Sequence, residues 1–208
     1  MTVTNIIEKK NGRQFDIYID NILKFTLDTN LVLKLGITEN MIVDEEWLNN
    51  IENEIKYKKA YEYSLRILSI CDKTSGEIRK KLYLKDYSEE IIDRVIENLL
   101  EYEYLDDEKY INRWINDKSK TPGMSKKFIY YKLLQKGLNK ELLDRKFDEI
   151  EIDEYKLALL AAEKKIKTIC GEKEHIKRKL FSYLKGKGYN NNTCFKVIEN
   201  MIENGKWN

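Results

Sequence analysis

The chain has 208 residues, of which 42% are hydrophobic and 36% charged, and its net charge at pH 7 is only +2. This length allows one or two domains with real hydrophobic cores. No apolar run reaches the roughly 18 residues of a membrane span, and the N-terminus lacks the apolar segment of a signal peptide. We therefore expect a cytoplasmic protein without membrane contact, and the single proline, Pro122, favours helix over an all-β fold.

Cysteine and histidine usage limits metal and disulfide chemistry. Cys71, Cys170 and Cys194 are odd in number and widely spaced, and the only histidine is His175. A closed zinc site needs four nitrogen or sulfur ligands, and a disulfide framework needs an even number of cysteines. We expect three reduced thiols, mostly buried as small hydrophobic side chains, and neither a metal nor a cofactor.

Charge is distributed unevenly along the chain. Residues 1–117 carry 17 Lys and Arg against 24 Asp and Glu, whereas residues 118–208 carry 21 against 12. The front is therefore acidic and the back basic. Such polarity indicates a basic face that meets an anionic partner, or a head-to-tail electrostatic match with a partner.

The first 36 residues are typical of strands. Residues 15–20 alternate apolar and polar side chains, as a half-buried strand does. The Asn-Gly pair at 11–12 is a strong hairpin signal, and the Asp-Asn pair at 20–21 indicates a second turn that leads into residues 22–27. These patterns predict a small meander of about three strands, which needs a covering element.

Two helical segments follow the predicted meander. A short apolar run at 31–35 predicts the covering helix, ended by Gly36. Asp44 is a good N-cap for a charged helix to about residue 57, because two acids follow it in the first turn. We expect this helix to lead directly into the next one, and we place the boundary of the N-terminal extension at residue 57.

The rest of the chain is organised by a repeat of 51 residues. Similar segments stand at 81–87, 132–138 and 183–189, and the apolar residues after them recur at the same interval. Ile92, for example, corresponds to Leu143 and to Cys194. Self-similarity at a fixed period indicates a repeat architecture.

Each repeat is predicted to hold three helices. Residues 74–77 have the capping-box form that begins a second helix, and Ser88 caps a third. In the next repeat, Thr-Pro-Gly at 121–123 ends the first helix and Gly137 ends the second. Three short helices cannot bury a core alone, so neighbouring repeats should stack.

The fold class that we predict is mainly α. Three tandem three-helix repeats with a period of 51 residues form an elongated curved array, preceded by a small N-terminal β-meander plus helix. The predicted boundaries are 1–57 for the N-terminal extension, 58–104 for repeat 1, 105–150 for repeat 2 and 151–208 for repeat 3.

Catalytic motifs give no enzymatic hypothesis. The sequence contains no G-x-S-x-G, no H-E-x-x-H and no phosphate-binding glycine loop. Asp106 and Asp107 could be metal-binding carboxylates, but acids at a helix start more commonly accept from free backbone N–H groups. We therefore predict a protein without catalytic residues.

Basic residues are the better functional signal. No acid stands between Asp117 and Glu141, which enclose seven lysines including Lys118 and Lys120, or between Glu174 and Glu199. Both runs contain the second helix of a repeat, so stacking should set them side by side. The alternative is that these residues are merely the solvent-exposed faces of their helices. The aromatic residues among them are more typical of core than of base stacking. The candidate partner- or DNA-binding residues are Lys126, Lys127, Lys132, Lys136, Lys177, Arg178, Lys179, Lys185 and Lys187.

These residues resemble a known family, the RecX regulators of the bacterial recombinase RecA. The resemblance rests on the tandem repeats and on Ser-Gly-Glu-Ile-Arg-Lys-Lys-Leu at 75–82, Tyr-Leu-Asp-Asp-Glu-Lys-Tyr at 104–110 and Lys-Leu-Leu-Gln-Lys-Gly-Leu at 132–138. It extends through residues 59–68 and the N-terminal segment at 31–36, which is similar to the extra segment of longer Gram-positive members. The match therefore covers nearly the whole chain.

The resemblance implies a non-enzymatic regulator in recombination, DNA repair and the SOS response. Such a protein binds in the groove of the RecA filament on single-stranded DNA and restrains strand exchange, ATP hydrolysis and co-protease activity. The partner that it implies is the RecA nucleoprotein filament; we further expect a monomer that contacts single- or double-stranded DNA. This sequence departs from the pattern at Asp86, where the later repeats have Gly137 and Gly188, and in its acidic first repeat. A stand-alone helical-repeat DNA-binding protein and a structural helical adaptor are the alternatives.

Overall fold

The structure, a computed structural model, describes residues 1–10, 12–120 and 123–203, without the side chains of 118–120. Within these residues the elements are β1 (Val3–Glu8), β2 (Gln14–Ile19), β3 (Ile22–Asp28), α1 (Thr29–Lys34), α2 (Glu45–Leu68), α3 (Ser75–Tyr83), α4 (Glu89–Glu101), α5 (Asp107–Lys120), α6 (Lys126–Gln135), α7 (Lys140–Asp148), α8 (Glu154–Ile166), α9 (Lys173–Gly186) and α10 (Asn191–Glu203). The prediction of a mainly helical chain with an N-terminal meander is confirmed.

The three strands form one antiparallel sheet in the order β1-β2-β3. Ile17 in the central strand lies opposite Ile6 and Phe25. The turn between β2 and β3 is made by two residues with positive φ, Asp20 at 48° and Asn21 at 65°, as the Asp-Asn pair predicts. The other predicted turn falls in part on Asn11, which lies outside the described residues.

Helices α1 and α2 cover the sheet and begin at side-chain caps. Asp28 accepts from the N–H of Leu31, and Asp44 accepts from the N–H of Trp47 at 2.8 Å. A core of Val3, Ile17, Ile19, Leu27, Leu31, Ile37, Val43 and Ile51 joins both helices to the strands. Helix α2 is unbroken, so residue 57, the predicted end of the extension, lies inside it.

A buried carboxylate links α1, α2 and α4. Glu54 is 8% exposed and accepts from Lys34 Nζ at 2.8 Å and from Arg94 Nη1 at 2.5 Å. The Arg94 guanidinium also lies 3.9 Å from the centre of the Tyr57 ring. Burial raises the pKa of Glu54, but the hydrogen bonds from Arg94 and Lys34 outweigh it and hold that pKa below its usual value.

The chain divides into two compact units. One consists of residues 1–70 and 81–99 and contains the sheet with α1, α2 and most of α4. The other consists of residues 71–80 and the described residues from 100 onward, and contains α5 to α10. The boundaries predicted from the repeat remain predictions.

The 51-residue repeat is confirmed by burial at equivalent positions of the three second helices. Ile78, Ile129 and Leu180 are fully buried, and so are Leu82, Leu133 and Leu184. The third helices repeat the pattern at Ile92, Leu143 and Cys194 and again at Ile96, Phe147 and Ile198. The period in sequence is therefore a period in packing.

The predicted starts of the helices are confirmed where caps are seen. In the capping box before α3, Thr74 Oγ1 accepts from Glu77 N–H at 3.1 Å and Glu77 Oε2 accepts from Thr74 N–H at 3.2 Å. Asp106 caps α5 by accepting from Lys109 N–H at 2.8 Å, the role expected of an acid at a helix start. Thr121 and Pro122, predicted to break α5, lie outside the described residues.

The expectation of mostly buried cysteines is wrong for two of the three. Cys194 is buried in the core of α8, α9 and α10, but Cys71 and Cys170 are exposed. Both exposed residues lie in the connections that follow α2 and α8, outside the apolar helix faces that form the cores. Burial raises the pKa of the Cys194 thiol.

Candidate functional site

The basic helices α6 and α9 meet at their ends. The N–H of Ser125, the N-cap of α6, donates to the carbonyl of Lys187, the C-cap of α9, at 2.9 Å. This contact places the first residues of α6 beside the last residues of α9. Of the sequence-predicted residues, those within two positions of this contact along the chain are Lys126, Lys127, Lys185 and Lys187.

The same junction occurs 51 residues earlier. Thr74, which corresponds to Ser125, donates from Oγ1 to the carbonyl of Lys136 at 2.6 Å, and Lys136 corresponds to Lys187. The second helix of one repeat therefore begins where the second helix of the following repeat ends. Contact through helix ends, and not the expected side-by-side placement, is what brings the basic runs together.

An acid of the following repeat completes each junction. Asp107 at the start of α5 accepts from Ser75 N–H at 2.9 Å and from Ser75 Oγ at 2.5 Å. Glu154 at the start of α8 accepts from Lys126 N–H at 2.9 Å. Both acids satisfy a free N–H at the first turn of the neighbouring repeat's helix, so the carboxylate of Asp107 is structural.

The glycines after the second helices are required by these junctions. A Cβ atom on Gly188 would lie 2.6 Å from Phe128 Cβ, and one on Gly137 would lie 2.8 Å from Gly76 Cα. Both glycines also have positive φ, 87° and 76°. The equivalent residue of repeat 1, Asp86, is exposed with φ 60°, and Asp is among the residues that adopt this region most readily. This explains the departure at Asp86.

Five of the nine predicted basic residues already have contacts within the chain. Lys136 Nζ pairs with Glu77 at 2.9 Å, and Lys126 Nζ donates to the carbonyl of Ile150 at 2.8 Å. Lys177 pairs with Glu174 at 2.6 Å. Lys132 lies over the ring of Phe128 and Lys187 over the ring of Tyr183. The ammonium groups of these five lysines therefore already interact with other groups of the chain.

The remaining four form no ion pair with any residue that the structure describes, and all are exposed. They are Lys127, Arg178, Lys179 and Lys185, which we call the free cations. Lys127 lies in the first turn of α6, Arg178 and Lys179 lie in the first half of α9, and Lys185 lies in its last turn. An exposed cation without an internal partner can meet an external anion without breaking a contact of the fold.

The Lys136–Glu77 pair is electrostatically stabilised. Burial raises the pKa of Glu77, but hydrogen bonds from Lys136 and from the N–H of Thr74 outweigh it and lower that pKa. Burial lowers the pKa of Lys136, yet hydrogen bonds with Glu77 and Tyr110 raise it overall. Lys136 therefore helps to join repeats 1 and 2.

Most aromatic side chains of the basic runs belong to the packing, as expected. Tyr189 is fully buried, and Phe128, Tyr130, Phe181 and Tyr183 are half-buried, whereas Tyr131 is exposed. Tyr130 donates from its hydroxyl to Asp144 at 2.6 Å and meets the Phe147 ring edge-on.

Sequence reasoning identified Thr74 only as part of a capping box, and it missed Ser125 and the contact that each makes with the following repeat. Thr74 and Ser125 are small hydroxyl residues exactly one period apart, and each stands at the N-terminus of a second helix. That spacing was the available signal. Lys118 and Lys120 of the basic run cannot be placed, because their side chains lie outside the described residues.

Other kinds of site are not seen in the described part of the chain. Among residues 1–10, 12–120 and 123–203, no group of three His, Cys, Asp or Glu side chains could hold a metal ion. In the same residues, no helix has the length and apolarity that crossing a membrane requires.

Comparison with known proteins identifies the family. A family model described as "RecX, first three-helix domain" matches residues 60–99. The chain is 34% identical over 207 residues to a protein named "Regulatory protein RecX" from Clostridium perfringens, with 97% of each chain covered. It is also 34% identical to the protein of that name from Clostridium acetobutylicum, covering 97% of this chain and 96% of the relative.

Solved structures share the fold. A crystal structure of a regulatory protein RecX superposes with a TM-score of 0.69 at 20% identity, covering 96% of this chain and 98% of the other. RecX from Lactobacillus salivarius superposes with a TM-score of 0.57 at 19% identity, covering 71% of this chain and 97% of the other. The identity over almost the whole length, together with the repeat that the cores and junctions show, establishes that the chain belongs to the RecX family of regulatory proteins.

Proposed function

We propose that this chain regulates the recombinase RecA by binding in the groove of the RecA filament on single-stranded DNA. It does so without catalysis, and it lowers ATP hydrolysis, strand exchange and co-protease activity. The observation that carries the proposal is the match to proteins named as RecX regulators over 97% of the chain. The repeat array supports it, because stacked repeats offer extended binding surfaces.

The free cations are the part of the site that we assign to partner binding. Lys127, Arg178, Lys179 and Lys185 are exposed without an ion pair to a described residue, whereas Lys126 and Lys136 have structural contacts. Charges of this kind steer association with an anionic surface and contribute to affinity. The anion is filament DNA or an acidic surface of the recombinase.

The test compares two variants that each remove four positive charges. K127A/R178A/K179A/K185A removes the free cations, and K24A/K56A/K59A/K164A removes exposed lysines from β3, α2 and α8. Inhibition of the recombinase's ATPase on single-stranded DNA is measured over a range of regulator concentrations.

We expect half-inhibition by the free-cation variant to require at least about fourfold more protein, since an exposed ion pair contributes about 0.2–1 kcal/mol and four are removed. The control variant should inhibit like the natural protein. Equal inhibition by both variants would remove the free cations from the proposal. Binding to the assembled filament, compared with recombinase alone and DNA alone, tests the choice of partner.

A stand-alone DNA-binding protein is the second candidate, and the free cations are the observation that favours it. The logarithm of the binding constant for naked single-stranded DNA would then fall linearly with the logarithm of the salt concentration. The slope would be about −0.7 for each phosphate neutralised. Loss of the four cations should lower the magnitude of that slope by up to about 3. Binding that requires assembled recombinase would contradict this candidate.

A further inference from the structure

A continuous acidic and aromatic surface lies where α4 leads into α5. Residues 100–108, which we call the acidic–aromatic segment, read Leu-Glu-Tyr-Glu-Tyr-Leu-Asp-Asp-Glu and contain five acids and no Lys or Arg. Tyr102 is 62% exposed and Tyr104 is 55% exposed. Tyrosine is enriched in protein interfaces, and it lies here without the burial that would explain it as core.

The segment borders an open cavity of about 450 Å³. Leu100, Leu105 and Leu142 supply its apolar part, and Leu100 is 42% exposed. The described lining otherwise consists of carboxylates and includes no basic side chain. These carboxylates belong to Glu103, Asp106, Asp107 and Glu108.

The fold uses some of these acids and leaves others available. Asp106 and Asp107 accept from backbone N–H groups, and Glu108 pairs with Arg145 and Lys146 at 2.6 and 3.0 Å. Glu101 and Glu103 are exposed and form no ion pair with a residue that the structure describes. The negative charge of the segment is therefore only partly balanced.

Glu103 occupies a backbone conformation that favours glycine. Its φ is 57°, in the left-handed region where the backbone of a residue with a side chain is strained, at a cost in stability. Its N–H donates to the carbonyl of Leu100 at 3.1 Å, which ends α4. Glycine would make the same turn without this cost, so the carboxylate contributes nothing to the turn that glycine would not.

We propose that the acidic–aromatic segment is a docking site for a positively charged amphipathic segment of a partner protein. Apolar side chains of that segment would contact Leu100 and Leu142, and its Lys or Arg side chains would meet Glu101 and Glu103. Tyrosine rings add attraction for cations and contact area. Charge complementarity selects a basic protein segment, because these carboxylates repel nucleic acid. This surface is distinct in residues and in sign of charge from the free cations, and the inference does not depend on the proposed function.

The direct test titrates the full chain into a fluorescein-labelled amphipathic helical peptide made of Leu and Lys, and measures fluorescence anisotropy. A peptide with Glu in place of Lys controls for apolar contact alone. The charge reversal E101K/E103K should weaken binding of the Lys peptide at least about tenfold, because two attractive charge pairs become repulsive. E52K/E97K makes the same charge change at exposed positions of α2 and α4 and should bind like the natural chain.

Two further variants separate docking from folding. Y102A/Y104A should also weaken binding about tenfold, because it removes the two rings that would contact the peptide. Both side chains are exposed, so little of the core depends on them and the fold should be kept. Glu103→Gly should weaken binding while the free energy of unfolding stays equal or rises, because the strain at φ 57° is relieved. No binding of the Lys peptide by the natural chain, or equal binding by E101K/E103K and E52K/E97K, would overturn the proposal.

Discussion

Replacing Gly188 by alanine tests the repeat junction most directly. The new methyl group would lie 2.6 Å from both Phe128 Cβ and Ser125 Oγ, at the contact between the end of α9 and the start of α6. The residue also has φ 87°, where an L-side chain is strained. The substitution therefore combines a backbone cost with an overlap that only movement of one helix can relieve.

The two costs can be separated by a matched substitution. Gly36 has φ 59°, but a Cβ there would have nothing within 4 Å. Gly36→Ala should thus lower the free energy of unfolding by the backbone cost alone, about 1–2 kcal/mol. Overpacking adds about 1–3 kcal/mol, so Gly188→Ala should cost about 2–5 kcal/mol. Gly137→Ala should behave like Gly188→Ala, because its Cβ would meet the backbone of Gly76 at 2.8 Å.

Urea denaturation followed by far-UV circular dichroism measures these differences. The free energy of unfolding of Gly188→Ala and of Gly137→Ala should be lower than that of Gly36→Ala by at least about 1 kcal/mol. Equal destabilisation at all three positions would show that left-handed backbone alone explains the glycines, and the argument from the junction would fail.

Three other changes test local features. Glu54→Gln should lower the free energy of unfolding at pH 7 by about 1–2 kcal/mol, since its cationic partners are partly solvated. Because the pKa of Glu54 is lowered in the folded state, its contribution to stability is present above the unfolded pKa of about 4.3 and is lost as pH falls through the folded pKa. An acid unfolding transition that is unchanged in the variant would contradict this. Tyr189→Phe removes a buried hydroxyl without a described hydrogen-bond partner and should leave stability equal or raise it by up to about 2 kcal/mol, whereas a loss above about 1 kcal/mol in thermal unfolding would reveal a partner. A thiol reagent should modify the two exposed cysteines at once and Cys194 only on unfolding; three equally fast thiols would refute the assigned burial.

Local patterns in the sequence predict much of this fold because they act over short distances. Leu82, Leu133 and Leu184 recur in phase with the helical period, so their burial follows from spacing alone. Caps such as Asp44 are equally local, since the side chain accepts from an N–H three residues later.

The candidate site was harder to predict because its decisive contacts are long-range. Lys132 and Lys136 look alike in the sequence, yet Lys136 pairs with Glu77, 59 residues away, and Lys132 does not. Which cations are free depends on which acids the stacking brings near. Only the structure distinguishes Lys127 or Lys185, with exposed charge, from lysines that the fold already uses.

The unbroken course of α2 has a consequence for how the protein can be dissected. Its first half packs Ile51 against the sheet, and its second half carries the buried Ala60 and Ser64 that begin the next predicted repeat. Cutting the chain at residue 57 would divide this helix between two fragments. Each fragment would then have a frayed helix end at the cut, where the helix has no natural cap. A truncated protein without the sheet should instead start at Asp44, which keeps the natural cap of the helix. Limited proteolysis of the intact chain should accordingly spare the peptide bonds around residue 57, because they lie inside a continuous helix that the extension and repeat 1 share.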